Sequence, residues 1–260
     1  MKVVQQFLKK LDSAIESAPT SLDCPLSRIR ASMKSGNMSA TDALGVAGAL
    51  IYTGTESLEI ISEGIVWMLA HPSNRQLQNE LRQEIDTVLG GPKKVIENSD
   101  QIDDLNLLKA TIAEALRCYE FAMPFQAMRD FKLGGKTMKK GSFFLVPGFN
   151  NQETSVSTGR KEWVESPSTF NPKVWLNEYG QFDTNLFNKF SFFGQGQHKC
   201  PGRQLGFDAV LGILAATISH FEDISFGGAT DSKAGNDASF VPVENVSQFR
   251  KNYNFHATAR

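Results

Sequence analysis

Residues 192–203 read FFGQGQHKCPGR, and this stretch decides how the rest of the chain is interpreted. A free cysteine is most often a small buried hydrophobic residue, which is the simplest interpretation of Cys200. Cys24, Cys118 and Cys200 are few and widely spaced, which disfavours disulfides and suits a reducing compartment. GQGQHK lacks the Gly-Lys-Ser/Thr ending of a phosphate-binding loop. Zinc is also disfavoured, since His198 and Cys200 have no second close pair of ligands.

The setting of Cys200 favours a thiolate that binds a flat cofactor. Apolar residues at helical spacing follow in PGRQLGFDAVLGILAATISHF, and Pro201 is expected at the first helical position, which places Cys200 at a helix N-terminus. Unpaired N–H groups and the positive end of the helix dipole stabilise an anionic sulfur there. Gly194, Gly196 and Gly202 leave room for a bulky group beside the sulfur. A haem fits these requirements.

The same loop resembles the cysteine loop of the cytochrome P450 family, F-x-x-G-x-[RH]-x-C-x-G. Five positions match in register: Phe193, Gly196, His198, Cys200 and Gly202. The resemblance implies that Cys200 is the axial thiolate of haem b and therefore the metal ligand. It also implies that Phe193 shields the sulfur and that His198 binds a haem propionate. Histidine at the third matched position is typical of the bacterial form of the loop.

A second motif lies upstream, in TIAEALRCYEF at residues 111–121. Glu114 and Arg117 are three residues apart, which places them on one helical face and allows an ion pair. Such pairs usually lie on a solvated face and contribute little, but this helix, predicted over residues 105–118, also has an apolar stripe. The stretch resembles the E-x-x-R helix of the same family, which holds the segment behind the haem.

Residues 39–71, SATDALGVAGALIYTGTESLEIISEGIVWMLAH, are predicted to form one long central helix. Ser39 is the expected N-cap, Asp42 places negative charge in the first turn, and Pro72 ends the helix. A helix of this length spans roughly 50 Å. Its apolar residues run nearly all the way round, which predicts burial on all sides.

The middle of this helix has a weak point at Gly54. Glycine costs about 1 kcal/mol relative to alanine in a helix interior, and the neighbouring hydroxyl groups can bond back to carbonyls and bend the helix. An ordinary bend is one interpretation. The stretch also resembles the family's oxygen-binding segment, [AG]-G-x-[DE]-[TS]. That resemblance implies that Gly54 lines a gap for dioxygen and that Glu56 and Ser57 deliver protons.

The remaining segments follow the order of that family. DFKLGGKTMKKGSFFLVPG, residues 130–148, alternates apolar and polar residues around two glycine-containing turns, which predicts a hairpin. FNPKVWLNEYGQFD, residues 170–183, is predicted to be an irregular meander. The cysteine loop and a final helix occupy residues 192–219. The resemblance implies a mainly α fold with a small β-sheet, organised as one domain over residues 1–260.

Several departures from the family are expected. Only one or two short helices, such as VVQQFLKKLDSAI at residues 3–15, precede the central helix, so the N-terminal half that supplies the distal roof is expected to be absent. Val174 and Trp175 stand where the family has an arginine that pairs with the E-x-x-R motif. Phe125 lies near the place of a propionate-binding arginine, and Arg129 is the candidate substitute for it.

Composition excludes several classes of protein. With 41% apolar residues among 260, the chain can bury a substantial core. A net charge of −1 and the lack of a basic stripe interleaved with aromatic residues argue against a nucleic-acid partner. The N-terminus lacks the apolar core of a signal peptide. Glu56, Glu59 and Glu63 interrupt the longest apolar helix, which argues against a membrane span. A cytoplasmic location is expected.

Together these features predict a haem-thiolate oxidoreductase of the monooxygenase type that oxidises a small organic molecule. The Cys200 thiolate would donate electron density through the iron and promote O–O cleavage. Lys189, Lys199 and Arg203 either dock an electron-donor protein or form a solvated rim. The missing roof predicts that a second copy or a complementing chain covers the central helix. Two alternatives stay open: a peroxide-using or rearranging haem-thiolate enzyme, and a non-enzymatic haem-binding or sensor protein.

Overall fold

The chain is mainly helical, and its described part also contains three small antiparallel sheets, as seen in a computed structural model. The structure describes residues 2–19, 21, 23–118, 122–147, 170–190, 192–194, 196–227 and 254–260. Contacts divide the chain into two compact units, unit 1 over residues 1–59 and unit 2 over residues 60–260. The predicted mainly α fold with a small β component is confirmed. The organisation as a single domain stays a prediction.

The described helices differ widely in length, from four residues to thirty-one. They are α1 (Lys2–Ser17), α2 (Pro25–Lys34), α3 (Ala40–Ala70), α4 (Arg75–Leu89), α5 (Ser99–Asp104), α6 (Asn106–Cys118), α7 (Thr184–Phe187) and α8 (Arg203–His220). Short 3-10 helices occupy Pro72–Asn74, Pro172–Trp175 and Gly196–His198. None of the helices in the described ranges combines the length and the apolar character that crossing a bilayer requires.

Unit 1 is built from α1, α2 and the first part of α3. Its core consists of Leu11, Ile15, Ile29, Ala43 and Ala47. The two alanines lie one turn apart on α3, so they form a flat stripe against which α1 and α2 pack. The predicted cap of α3 is confirmed, since Ser39 Oγ accepts a hydrogen bond from the Asp42 N–H at 3.1 Å.

Helix α3 has the predicted length but only part of the predicted burial. Pro72 lies just beyond its end and starts the 3-10 turn that follows, as expected. Ile65, in unit 2, is fully buried, whereas Leu50 and Ile51, in unit 1, are 46% and 47% exposed. The prediction of burial on all sides is therefore wrong for the unit 1 part of α3. The reason is that α1 and α2 cover only the alanine stripe.

Unit 2 centres on α4, α6 and α8, which pack against one another. The apolar stripe predicted for α6 is confirmed, and every residue from Ala110 to Cys118 is buried. The apolar side chains of these helices with 1% exposure or less include Leu81, Ile85, Leu108, Ile112, Leu211 and Leu214. A helix that is buried on all its faces has no solvated side, so its polar residues need partners inside the protein.

The strands form three antiparallel pairs within the described residues. They are β1 (Ala122–Gln126) with β4 (Phe143–Pro147), β2 (Phe131–Leu133) with β3 (Lys136–Met138), and β5 (Phe221–Gly227) with β6 (Asn254–Ala259). The predicted hairpin is confirmed in β2–β3. Gly134 and Gly135 join these strands with φ of +56° and +78°, a two-residue turn that requires positive φ at both positions. The predicted irregular meander is also confirmed, as a 3-10 turn and an isolated bridge between Leu176 and Phe182.

Glu84 of α4 holds the start of α6. Its two carboxylate oxygens accept hydrogen bonds from the N–H groups of Leu107 at 2.6 Å and Leu108 at 2.9 Å. These are among the N–H groups that a helix leaves without intrahelical acceptors. Burial raises the pKa of Glu84, and the two N–H groups oppose that rise. The first turn of α6 therefore depends on a carboxylate supplied by another helix.

We expect Glu84→Ala to lower the free energy of unfolding by roughly 1–3 kcal/mol, because two backbone N–H groups lose their acceptor. Urea unfolding followed by circular dichroism measures this change. Gln83→Ala is the matched control, since Gln83 is an exposed neighbour on the same helix and its loss should stay within about 0.5 kcal/mol. Equal losses in the two variants would show that Glu84 does not support α6.

The same carboxyl group should make stability depend on pH. Because its pKa is raised in the fold, the unfolded chain ionises first as the pH increases. The stability that this carboxyl group adds is therefore complete below its ordinary pKa, about pH 4. It is lost as the pH rises through the raised pKa of Glu84 in the folded protein. We expect the unfolding free energy of the wild type, relative to Glu84→Gln, to fall as the pH rises from about 4 through the raised pKa of Glu84. A difference that stays constant with pH would contradict this.

Candidate functional site

A backbone hydrogen bond closes the loop at residues 192–203. The N–H of Cys200 donates to the carbonyl of Phe193 at 2.7 Å. Between these two residues, Gly194 and Gly196 have φ of +72° and +63°, a region that residues with side chains rarely adopt. The glycines are therefore needed for the chain to turn back on itself. The result is that Phe193 lies at the backbone of Cys200.

Cys200 is exposed and lies before helix α8. Helix α8 begins at Arg203 with Gly202 as its N-cap, and the Gly206 N–H donates to the Gly202 carbonyl at 2.7 Å. The prediction that Pro201 is the first helical residue is wrong, because Pro201 and Gly202 form a turn ahead of the helix. Proline has no N–H and a fixed φ, so it suits such a turn as well as it suits a helix start.

The space beside the sulfur depends on Gly202. A methyl group added at this position would lie 3.9 Å from the Cys200 Sγ, which is ordinary van der Waals contact. Any larger side chain would occupy the space next to the sulfur. A methyl group at Gly196 would meet no atom within 4 Å. Gly202 thus leaves space beside the exposed thiol for a bulky planar group.

The sulfur of Cys200 is a donor of the kind that haem iron accepts. Within the described residues, no three His, Cys, Asp or Glu side chains come together to hold a metal ion. A structural zinc ion needs four ligands from the protein. Haem iron needs only an axial ligand from the protein, and a cysteine thiolate is one of the ligands used. The residues around Cys200 therefore fit a haem held through one sulfur.

A cluster of aromatic rings lies next to the loop. Its members pack with neighbouring centroids between 4.9 and 6.4 Å apart and come from the meander, α7 and the bend after it, the loop and α8: Trp175, Phe182, Phe187, Phe190, Phe192, Phe193 and Phe207. We call this set the aromatic cluster. Rings at these separations and tilted angles attract each other beyond simple burial. Two members, Phe192 and Phe193, belong to the loop itself, so the cluster anchors one end of it.

Arg203 joins the start of α8 to this cluster. Its guanidinium carbon lies 5.3 Å from the ring centroid of Phe187 and 5.7 Å from that of Phe193. It also donates to the side-chain oxygen of Asn188. A guanidinium over aromatic rings is a cation–π contact. Arg203 thus packs against the loop and is not only part of a solvated rim.

The predicted Glu114–Arg117 ion pair is confirmed, and it is fully buried. Arg117 donates from Nε to Glu114 Oε2 and from Nη2 to Glu114 Oε1, both at 2.8 Å, and both side chains have 0% exposure. Burial opposes the charge of Arg117, but the bonds to Glu114 outweigh it and raise the pKa of the guanidinium. A buried pair is stable only if its remaining hydrogen-bonding capacity is also used.

Glu114 finds two further donors in the meander. The N–H of Asn171 donates to Oε1 at 2.9 Å, and the indole Nε1–H of Trp175 donates to Oε2 at 2.8 Å. The sequence showed Trp175 only as one of two residues, with Val174, that stand where an arginine is expected. The signal that could have identified it is the indole N–H, which is a donor that needs a partner when the ring is buried. Trp175 therefore occupies a donor role toward Glu114.

Cys118 adjoins this ion pair and differs sharply from Cys200. Its Sγ accepts a hydrogen bond from Arg117 Nη2 at 3.3 Å, and the side chain is buried. Burial raises the pKa of this thiol well above its ordinary value. Cys118 is therefore held as a neutral thiol inside the core, whereas Cys200 lies at the surface.

His198 and Arg129 are the two residues predicted to bind the haem propionates. The His198 backbone ends the 3-10 turn of the loop, and its side chain lies outside the described residues. Arg129 lies in an exposed turn between β1 and β2. Phe125, near it, stacks on Phe144 with a centroid distance of 5.7 Å. The roles of His198 and Arg129 stay predictions.

The predicted oxygen-binding segment belongs to unit 1 and lies on α3. Gly54 and Ser57 are exposed, Glu56 is half-buried, and a methyl group at Gly54 would meet no atom within 4 Å. The predicted back-bonding is confirmed, since Thr53 and Thr55 each donate a hydroxyl to the carbonyl four residues earlier at 2.7 Å. The helix remains continuous through this segment. The catalytic roles of Gly54, Glu56 and Ser57 stay predictions.

Sequence comparison finds relatives that are named as a cytochrome P450 or as monooxygenases. Cytochrome P450 98A1 of Sorghum bicolor is 27% identical over 190 residues, which cover 72% of this chain and 35% of that protein. Trans-cinnamate 4-monooxygenase of Glycyrrhiza echinata is 30% identical over 220 residues, covering 82% and 41%. Indolin-2-one monooxygenase of Zea mays is 30% identical over 159 residues, covering 58% and 28%. The alignments thus span between 28% and 41% of the length of these relatives.

A family model described as Cytochrome P450 matches residues 1–236, which include α3, the buried ion pair and the loop around Cys200. The match extends over most of the 260 residues. This chain belongs to the cytochrome P450 family.

Proposed function

We propose that this chain is the haem-thiolate part of a monooxygenase that oxidises a small organic molecule. The observation that supports this most directly is the exposed sulfur of Cys200, set beside Gly202 on a loop closed onto Phe193. The family match implies a haem, and haem b is the form we propose. The names of two relatives describe monooxygenases of trans-cinnamate and indolin-2-one, both small aromatic compounds.

The proposed haem is held by residues of the loop and of the β1–β2 turn. Cys200 supplies the axial thiolate, and Phe193, whose carbonyl accepts the Cys200 N–H, is proposed to shield that sulfur. His198 and Arg129 are proposed to bind the propionates, because each offers a cationic or hydrogen-bonding group. When bound, a haem ligated by a cysteine thiolate activates dioxygen for insertion of one oxygen atom into the substrate.

The protein's own task in this chemistry is to deliver protons and to exclude water. We propose that Glu56 and Ser57 on α3 form the proton relay, since carboxyl and hydroxyl groups are both able to accept and donate protons. Gly54 keeps side chains away from this part of the helix. Electrons would come from a separate donor protein, for which Lys189 and Lys199 offer positive charge near the loop.

We further propose that a second copy or a complementing chain covers the exposed part of α3. Val46, Leu50 and Ile51 are between 41% and 47% exposed, and Tyr52 is 65% exposed. Large apolar side chains exposed side by side are typical of an interaction surface. The proposed location is the cytoplasm, and the support for it is the pattern of three free cysteines, Cys24, Cys118 and Cys200.

Replacing Cys200 by serine should remove the thiolate ligand. We expect wild-type protein reconstituted with hemin, then reduced and exposed to carbon monoxide, to show a red-shifted Soret band. Cys200→Ser should lose this band almost completely, because a hydroxyl is not deprotonated as a thiol is. Cys24→Ser is the matched control and should keep it. Equal spectra of Cys200→Ser and wild type would disprove sulfur ligation at this position.

The proton relay can be separated from the ligand by turnover measurements. We expect Glu56→Gln and Ser57→Ala to lower dioxygen-dependent oxidation of trans-cinnamate or indolin-2-one about a hundredfold. The red-shifted Soret band should persist in both variants. Glu63→Gln, two turns further along α3, is the control. Undiminished turnover in both relay variants would show that the reaction does not need this relay, and would favour the peroxide-using or rearranging class.

The exposed face of α3 can be tested by sedimentation. We expect the wild-type chain to associate, and Leu50→Glu to shift it towards the monomer by placing a charge in an apolar contact. Leu133→Glu is the matched control, because Leu133 is 57% exposed on the β2–β3 hairpin. A wild-type chain that stays monomeric over the whole concentration range would rule out self-association through this face.

A further inference from the structure

The carboxylate of Glu114 is surrounded by four hydrogen-bond donors. Two come from Arg117 on the same helix, one from the Asn171 backbone and one from the Trp175 indole. Each oxygen receives two of them, at 2.8 or 2.9 Å. A buried carboxylate that loses a donor is penalised, because no water can replace it. The position of Trp175 is therefore fixed from one side by a charge.

The other side of Trp175 faces the cysteine loop. Its ring centroid lies 4.9 Å from that of Phe190 and 5.9 Å from that of Phe192. Phe192 is covalently followed by Phe193, whose carbonyl accepts the Cys200 N–H at 2.7 Å. A continuous path of contacts thus leads from Glu114 through one indole to the backbone of Cys200. With 0% exposure, Trp175 has no freedom to shift without disturbing both ends.

We propose that Trp175 is a positioning residue for Cys200, tied to Glu114 by its indole N–H and to the loop by its ring. Trp175 supplies a neutral donor to the carboxylate and an aromatic contact to the loop from the same ring. The effect of Trp175 on a bound haem rests on the proposed function. Its effect on the backbone of the loop is independent of that function and can be measured on the chain without haem.

The indole makes two kinds of contact, and two substitutions separate them. Trp175→Phe keeps an aromatic ring but removes the donor to Glu114. Phe192→Leu keeps that donor and removes the ring contact on the loop side. If Trp175 acts by linking the two sides, each substitution should loosen the backbone at Cys200. If Trp175 only fills space, the substitution that removes more side-chain volume should destabilise the protein more. The loosening of the backbone should then not be concentrated in the loop.

The first test is hydrogen exchange of the Cys200 amide in the full chain without haem. We expect Trp175→Phe and Phe192→Leu each to speed this exchange about tenfold or more, since a lost buried hydrogen bond or ring contact is worth about one order of magnitude. Amides of α4 serve as the internal reference and should not change. Trp67→Phe, the same chemical change on α3, is the matched control.

Exchange at Cys200 that is unchanged in both variants would overturn the proposal. So would an equal acceleration at Cys200 and throughout α4, because that would mean general destabilisation. If Trp175→Phe does not fold, Phe192→Leu decides alone, and the slow exchange of the Trp175 indole N–H in that variant shows that the bond to Glu114 remains.

The second test uses the hemin-loaded chain and the fraction that shows the red-shifted Soret band after reduction and carbon monoxide binding. We expect this fraction to fall severalfold in Trp175→Phe and to stay at the wild-type level in Trp67→Phe. Equal fractions in the two variants would overturn the positioning role. If the wild type itself lacks the band, the proposed function fails, and the exchange test still decides whether Trp175 positions the loop.

Discussion

Glu114 and Arg117 carry opposite charges in a part of unit 2 that water does not reach. Removing two charges from water costs several kcal/mol for each ion, and their attraction compensates only if every remaining polar atom is also satisfied. This constraint reaches beyond α6. It requires the backbone of Asn171 and the indole of Trp175 to lie at fixed positions, so it specifies the path of the meander. The ion pair therefore organises the fold more than it adds to its stability.

The cysteine loop depends on this arrangement because it has little core of its own. Its glycines adopt left-handed backbone conformations, and Cys200 is exposed. Among its described residues, Phe192 and Phe193 pack against the aromatic cluster and Arg203 at the start of α8. A reactive group gains from this division of roles, since the exposed sulfur can meet a cofactor while buried residues behind it hold the geometry.

Local sequence rules predicted the elements whose causes are local. Ser39 and Pro72 define the ends of α3, the glycine pair defines the β2–β3 turn, and the spacing of Glu114 and Arg117 defines their ion pair. Features that depend on distant partners were missed. The donor role of Trp175 requires knowing that the meander passes α6, and the start of α8 at Arg203 depends on how the loop closes. The exposed part of α3 was missed because apolar composition alone does not show which faces are covered.

The contrast between two sulfurs has a further consequence for oxidative chemistry. Burial keeps Cys118 as a neutral thiol, a form that reacts slowly with peroxides, so the ion pair is protected from a sulfenic acid forming beside it. Cys200 has no such shelter in the chain without cofactor. Coordination to iron would occupy the electron pair that an oxidant attacks. If Cys200 ligates the haem as proposed, its sulfur is more open to oxidation before the cofactor binds than after it.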